Sequence, residues 1–308
     1  MKNQIKRRHF LKGLAAVPGL MITNPVFPSG WAATPPAKAN PARPFRISLN
    51  AYSFNAPLQA GSMNLDDLLE FCSAHHFDAV DLTAYYFPGY PQVPPDPYLY
   101  HIKHKAFKLG LDISGTGVRN DFTDPDAAKR QESVQLVKDW IGAAAKIGAP
   151  VIRIFSGTQQ PSGFTWDQIA AWMVKDIREC VAFGKSKGVV VAIQNHDDFL
   201  KTAAQTRKII EMVDSDWFGL ILDIGSYRQG DPYGEIQATL PYAVSMQIKE
   251  EIYPHGVKSR PDLKKLFQII RASGYQGYLP IETLGPGNPK TKVPLFLQEV
   301  RAALNNKA

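Results

Sequence analysis

Four short polar runs stand where strongly apolar segments end: Ile193-Gln194-Asn195-His196, Leu222-Asp223, Met246-Gln247-Ile248-Lys249 and Ile281-Glu282. Each follows a stretch too apolar to face water: Val189 to Ile193, Gly219 to Leu222, Ala243 to Met246 and Tyr278 to Ile281. Two carboxylates, three side-chain amides, an imidazole and an ammonium are thus attached to the ends of buried strands. Groups of these types hold metal ions, polarise oxygens and move protons. Any one of them could simply cap the next helix. Four in succession, spaced one strand-plus-helix unit apart, read more strongly as one site.

Further candidates lie upstream. Arg153 sits in Ile152-Arg153-Ile154-Phe155 between apolar neighbours. A charge there needs a partner, so it either anchors substrate or braces acidic groups. Asp81, Thr83 and the run Tyr85-Tyr86-Phe87-Pro88-Gly89-Tyr90 follow another apolar segment, and the Tyr85 and Tyr86 rings either wall a substrate site or pack the loop. His196 exchanges protons near neutral pH, or else braces its loop. Glu250 follows Lys249 directly and is a further binding candidate. His101 and His104, beside Lys103 and Lys105, read as a solvated basic face. Cys72 and Cys180 fall on helices that are not neighbours and are expected to remain separate buried thiols.

The elements that must position these residues are short β-branched runs alternating with longer amphipathic stretches. Strands are predicted near 46–50, 79–82, 111–114, 151–155, 189–193, 220–222, 244–248 and 279–281. Helices are predicted near 65–75, 97–109, 126–147, 166–187, 202–213, 262–272 and 293–304, with a weak crossover near 233–240. Eight strand signals separated by helix signals predict a single-domain α/β fold, a closed (β/α)₈ TIM barrel over residues 45–308. The first strand runs into Leu49-Asn50-Ala51-Tyr52-Ser53-Phe54 rather than a glycine-rich phosphate turn. No G-x-G-x-x-G, P-loop or nucleophile elbow occurs, which argues against an open dinucleotide-binding sheet. In such barrels chemistry sits at the C-terminal ends of the strands, where the four runs fall.

Before the barrel, Lys6-Arg7-Arg8-His9-Phe10-Leu11-Lys12 precedes a weakly apolar segment, Gly13 to Phe27, with small residues at Gly30 and Ala32. Residues 1–33 resemble a twin-arginine export signal, which implies a periplasmic protein. Pro18, Asn24 and Pro25 interrupt the segment, against a permanent membrane span. Residues 34–44 are rich in Pro and Ala and read as a linker. The segment 1–33 holds five basic residues and no acid, so the formal charge of +7 falls to +2 without it. The basic balance therefore offers no support for a nucleic-acid partner.

With strand-end residues in that order, the chain from about Phe45 onward resembles the xylose isomerase-like sugar isomerases and epimerases. The resemblance implies one divalent metal at the ends of strands five to eight, on positions matching Gln194, Asp223, Gln247 and Glu282. Two of these are amides where the family has a Glu and a His. An amide oxygen still coordinates a hard cation, and an all-oxygen set favours Mn²⁺ first, with Mg²⁺, Co²⁺ or Ca²⁺ as alternatives. The resemblance also implies a carbohydrate or keto-sugar substrate. Gln194 cannot take a proton, so Glu282 is the expected base, with His196 and Lys249 as further catalytic residues and Arg153, Asp81, Tyr85, Tyr86 and Glu250 binding substrate. Alternation along the seventh strand puts Gln247 and Lys249 on one face.

Three functions follow as expectations: a metal-dependent isomerase or epimerase; a lyase that removes the C2 proton of a 3-keto-glycoside and expels the glycosidic oxygen, served by a partner oxidoreductase; and a sugar-binding barrel without catalysis. A DNA-repair phosphodiesterase of the related three-zinc type would need several strand-end histidines, and only His196 and His255 lie near one.

Overall fold

The computed structural model describes residues 44–305. The export signal and the linker up to residue 43 lie outside the described residues. Eight parallel strands close into a barrel in chain order: β1 (Arg46–Asn50), β2 (Ala79–Thr83), β3 (Asp112–Gly117), β4 (Val151–Ile154), β5 (Val190–Gln194), β6 (Phe218–Asp223), β7 (Ala243–Lys249) and β8 (Tyr278–Glu282). Around it run α1 (Asn55–Gln59), α2 (Leu65–Ala74), α3 (Asp96–Lys108), α4 (Ala127–Ile147), α5 (Trp166–Lys187), α6 (Ala203–Val213), α7 (Pro232–Thr239), α8 (Leu263–Ala272) and α9 (Pro289–Asn305). Among the described residues no helix is long and apolar enough to cross a membrane.

The helices begin where side chains can satisfy their free N–H groups. Asn64 with Asp67, and Thr165 with Gln168, form reciprocal capping boxes, and Asp126, Thr202, Asp231 and Asp262 accept from the first turns of α4, α6, α7 and α8. The weak crossover is confirmed as short: α7 has 8 residues, followed by a 3₁₀ turn over Leu240–Tyr242.

Outward-facing strand residues such as Leu49, Leu82, Ile154, Ile193, Leu222 and Ile281 join one core with the surrounding helices. Inside the barrel a separate small cluster, Val151, Ala192 and Ile221, forms an apolar floor. Because strand residues alternate faces, two positions further along those strands come Arg153, Gln194 and Asp223. The sequence pattern thus lays a polar layer on the apolar floor.

The third strand differs from expectation. It reaches Gly117 instead of ending near Ser114. Gly115 and Gly117 look like strand breakers, but here they make room. A Cβ on Gly117 would lie 2.6 Å from Arg153 Nε and 2.8 Å from Nη2. The strand uses glycine so that a neighbouring guanidinium can lie flat across it.

Candidate active site

The site forms where β5 to β8 end. Parallel pairing sets Asp223 beside Gln247, and Lys249 beside Glu282. The register between β6 and β7 shifts at Leu220/Ile221, and a second shift between β2 and β3 at Val80/Asp81 sets Asp81 opposite Gly115. Both shifts lie just below the polar layer and set which residues face the mouth.

Lys249 occupies the centre. Its Nζ lies 2.6 Å from Asp223 Oδ2 and 3.3 Å from Glu282 Oε1. All three side chains are buried. The lysine stem runs past Gly225, where a Cβ would stand 3.0 Å from Lys249 Cδ and 2.9 Å from the Glu251 carbonyl oxygen. Only glycine leaves that passage open.

Asp223 is held from every side. Gln194 Nε2 donates to its Oδ2 at 2.8 Å, and the Gly225 backbone N–H donates to Oδ1 at 2.9 Å. Asn195 fixes the strand end below it: Nδ2 donates to the Asp223 carbonyl at 3.0 Å, and the Asp223 N–H donates to Asn195 Oδ1 at 2.8 Å. Gln194 Nε2 also donates to Gln247 Oε1 at 2.8 Å. An ionised carboxylate only accepts, so the contact with Asp223 determines which end of the Gln194 amide points inward, and it is the nitrogen.

The two carboxylates consequently differ. Burial pushes the Asp223 carboxyl up, but the Lys249 ammonium overcomes it and holds the group below the usual carboxylate range. Burial also pushes Glu282 up, and there the nearby Asp223 charge adds to burial while Lys249, further away, only partly offsets it, so Glu282 ends raised. Burial alone would lower the Lys249 pKa, but Asp223 and Glu282 together raise it, so the ammonium is kept charged. Among the described residues no hydrogen bond reaches Glu282 Oε2, which leaves that oxygen available.

These contacts decide whether a divalent ion fits. Gln194 and Gln247 were expected as ligands, but Gln194 Nε2 donates to Asp223 and to Gln247 Oε1, so the one atom turned to Asp223 is a donor and the Gln247 oxygen is already an acceptor. Asp223 uses both oxygens on fixed donors, and the position between the two carboxylates holds an ammonium. Among the described residues no three His, Cys, Asp or Glu side chains converge as a metal set. With Lys249 in place, the donors do not fit a divalent metal.

The remaining predicted residues form two groups. Arg153 is buried, its guanidinium 3.9 Å above the Phe155 ring, donating to Tyr85 Oη at 3.2 Å and to the Val118 carbonyl at 3.3 Å. Among the described residues no carboxylate forms a salt bridge with it. Asp81 is buried nearby, and burial pushes its carboxyl up to about 6 against the pull of Arg153 and with a further push from Glu282. Tyr85 packs edge-on to Tyr52 and Tyr86, and Tyr86 Oη donates to Asn55 Oδ1 at 2.8 Å. Arg153, Asp81 and Tyr85 thus share the wall next to Glu282.

His196 and Glu250 stand apart. His196 is exposed on the rim, Nδ1 3.6 Å from Asp198 Oδ2 and its ring edge-on to Phe155. Among the described residues it makes no hydrogen bond to the Lys249 cluster. Glu250 turns away to Lys292 Nζ at 3.3 Å and accepts from the Leu284 N–H. There it lines a side cavity of about 480 Å³ with Glu251, Lys258, Arg260 and Lys292. Past β7 its side chain leaves the inward face that Lys249 takes.

Three contributors were not foreseen. Asn195 pins the end of β6, and the adjacent polar pair Gln194-Asn195 was its only sequence signal. Arg119 places its guanidinium 4.4 Å above the Tyr85 ring and was hidden by ending the third strand early. Ser53 Oγ accepts from the Thr283 N–H at 3.0 Å and joins the ends of β1 and β8.

The fold has known counterparts. A 3-keto-D-glucoside 4-epimerase from E. coli superposes with TM-score 0.69 at 15% identity, over 84% of this chain and 99% of that one. D-Psicose 3-epimerase with D-tagatose, from Clostridium cellulolyticum H10, gives TM-score 0.70 at 15% identity over 84% and 99%. The IolI protein with a zinc atom gives 0.66 at 17% identity over 84% and 96%. No curated protein matches the chain. At these identities the likeness speaks for the fold, while the family assignment comes from a sequence model that matches residues 69–301. On that match the chain belongs to the xylose isomerase-like TIM barrel family.

Proposed function

We propose that the protein is a sugar isomerase or epimerase that removes a proton from the carbon next to a sugar carbonyl, with Glu282 as the base. The observation that carries this reading is the division of labour between two carboxylates around one ammonium. Asp223 is saturated with donors and stays ionised, whereas Glu282 has a raised pKa and a free oxygen. Environments that push two acids apart assign the proton-transfer role to the one poised nearer neutrality.

In the first step Glu282 takes the proton and the C–H electron pair passes into the carbonyl, giving an enolate. The Lys249 ammonium beside Glu282 supplies a fixed positive charge for the enolate oxygen. Transfer of the neighbouring hydroxyl proton to the enolate oxygen, with return of the carbon proton to the former carbonyl carbon, isomerises the sugar and leaves the carbonyl on the neighbouring carbon. Return to the original carbon on its other face epimerises it, and that requires a second acid. His196 on the rim and Asp81 in the wall are the groups proposed for it. Arg153 and Tyr85 bind sugar hydroxyls. The expected divalent metal, Mn²⁺ first, would polarise the same carbonyl, but the donor set does not fit it, and no step here depends on it.

A second reading is favoured by Gln194, which removes the opposing carboxylate that a symmetric exchange would use. A lyase needs only one base. Glu282 takes the C2 proton of a 3-keto-glycoside, the C1–O bond breaks, its electron pair leaves with the glycosidic oxygen, and His196 protonates that oxygen. Such a substrate must first be oxidised at C3, which is why a partner oxidoreductase belongs with this reading. Export to the periplasm by the twin-arginine route, proposed from residues 1–33, would suit glycosides. The test is incubation with a free ketose or a 3-keto-glycoside in deuterated water. Deuterium next to the carbonyl in an intact sugar supports the isomerase or epimerase, and release of the aglycone with an unsaturated sugar supports the lyase. Binding without either would leave the sugar-binding barrel.

A further inference from the structure

We propose that Lys249 is the resident cation of this barrel: its ammonium fills the divalent-ion position between Asp223 and Glu282, so the wild-type protein takes up no divalent metal there, and removing the lysine opens a metal site. The inference rests on the geometry of the cluster. It rests on the proposed sugar chemistry only for its consequence, that the charge facing the enolate comes from a side chain.

Four observations converge. Lys249 is the register partner of Glu282, so the contact follows from strand pairing and not from a chance rotamer. Nζ touches both carboxylates, at 2.6 and 3.3 Å. The stem is accommodated by Gly225, where a methyl group would meet both Lys249 Cδ and the Glu251 carbonyl oxygen. Gln194 presents nitrogen to Asp223, and a nitrogen that donates cannot also be a ligand. A divalent ion entering here would face an ammonium at contact distance in a buried site, where like charges repel strongly. Truncating the lysine leaves two buried carboxylates without the ammonium between them, a set that hard cations fill.

The test is titration with MnCl₂, followed by electron paramagnetic resonance of free Mn²⁺ and by the melting temperature, for the wild type, Lys249→Met and the double variant Lys249→Met/Asp223→Asn. Methionine keeps most of the stem's packing. The wild type should bind no Mn²⁺ at the site and should melt at the same temperature with MnCl₂ or with EDTA. Lys249→Met should bind one Mn²⁺ at least tenfold more tightly than the wild type and melt higher when loaded, and the Asp223→Asn change should remove that gain. Stoichiometric Mn²⁺ on the wild type, lost in Asp223→Asn alone, would overturn the inference even if Lys249→Met fails to fold. So would a folded Lys249→Met that binds no better than the wild type. None of these readouts involves sugar, so failure here leaves the proton-transfer reading standing, and absence of sugar exchange leaves this inference standing.

Discussion

Asp81→Asn should make the protein more stable at neutral pH, with a benefit that disappears in acid. Asp81 is buried on β2, and among the described residues it has no hydrogen-bond donor or salt bridge. Burial pushes its carboxyl from 3.8 up to about 6. A carboxyl whose folded pKa is raised favours folding fully below its unfolded pKa, and that advantage is lost as pH rises through the folded value. A rise of about 2 units corresponds to about 3 kcal/mol, lost in full above pH 7. Between pH 4.5 and pH 8 the loss is about 2 kcal/mol. Asparagine does not ionise, so the difference in urea-unfolding free energy, variant minus wild type, should grow by about that amount over the same range. A difference that stays flat with pH would refute the reasoning, because it would mean that Arg153 or solvent already compensates the charge. A difference that shrinks as pH rises would show that Asp81 is stabilised as a carboxylate.

Other substitutions test how the site is positioned. Gly117→Ala should push the Arg153 guanidinium aside, raising the KM for sugar more than it lowers kcat, with a stability loss of about 1–3 kcal/mol. Equal KM in the variant and the wild type would remove Arg153 from the binding wall. On the outer layer, Asp176 in α5 accepts from Arg130 Nε in α4 at 2.7 Å, and both side chains are largely buried. Asp176→Ala should cost about 3–5 kcal/mol in urea unfolding, since it leaves a guanidinium without its countercharge.

Much of this barrel is legible in the sequence because its signals agree. Trp166–Lys187 and Arg46–Asn50 are found where apolar periodicity and capping residues put them. Alternation along β7 correctly couples Gln247 and Lys249 on one face. The site was less legible where an outcome depends on which atom of a residue points inward. Composition counts Gln194 as an oxygen ligand, and only the carboxylate opposite reveals that its nitrogen faces in. Alternation brings Lys249 to the inward face, but only the pairing of β7 with β8 sets its ammonium against Glu282, in the place expected for a metal. Gly117 and Gly225 carry the same lesson, since each is a glycine whose purpose is the neighbour it lets in. That Asp81 is buried without a donor among the described residues is visible only in three dimensions.

The central claim is that Glu282, paired with Lys249, takes a proton from the carbon next to a sugar carbonyl. Its most direct test is solvent-deuterium exchange into a ketose or 3-keto-glycoside, followed by NMR, with EDTA-treated wild type beside Glu282→Gln. The account predicts exchange in the chelated wild type and its loss by at least a hundredfold in Glu282→Gln, about 2.7 kcal/mol or more of lost transition-state stabilisation. Exchange that survives Glu282→Gln, or that appears in the wild type only on addition of Mn²⁺, would contradict it.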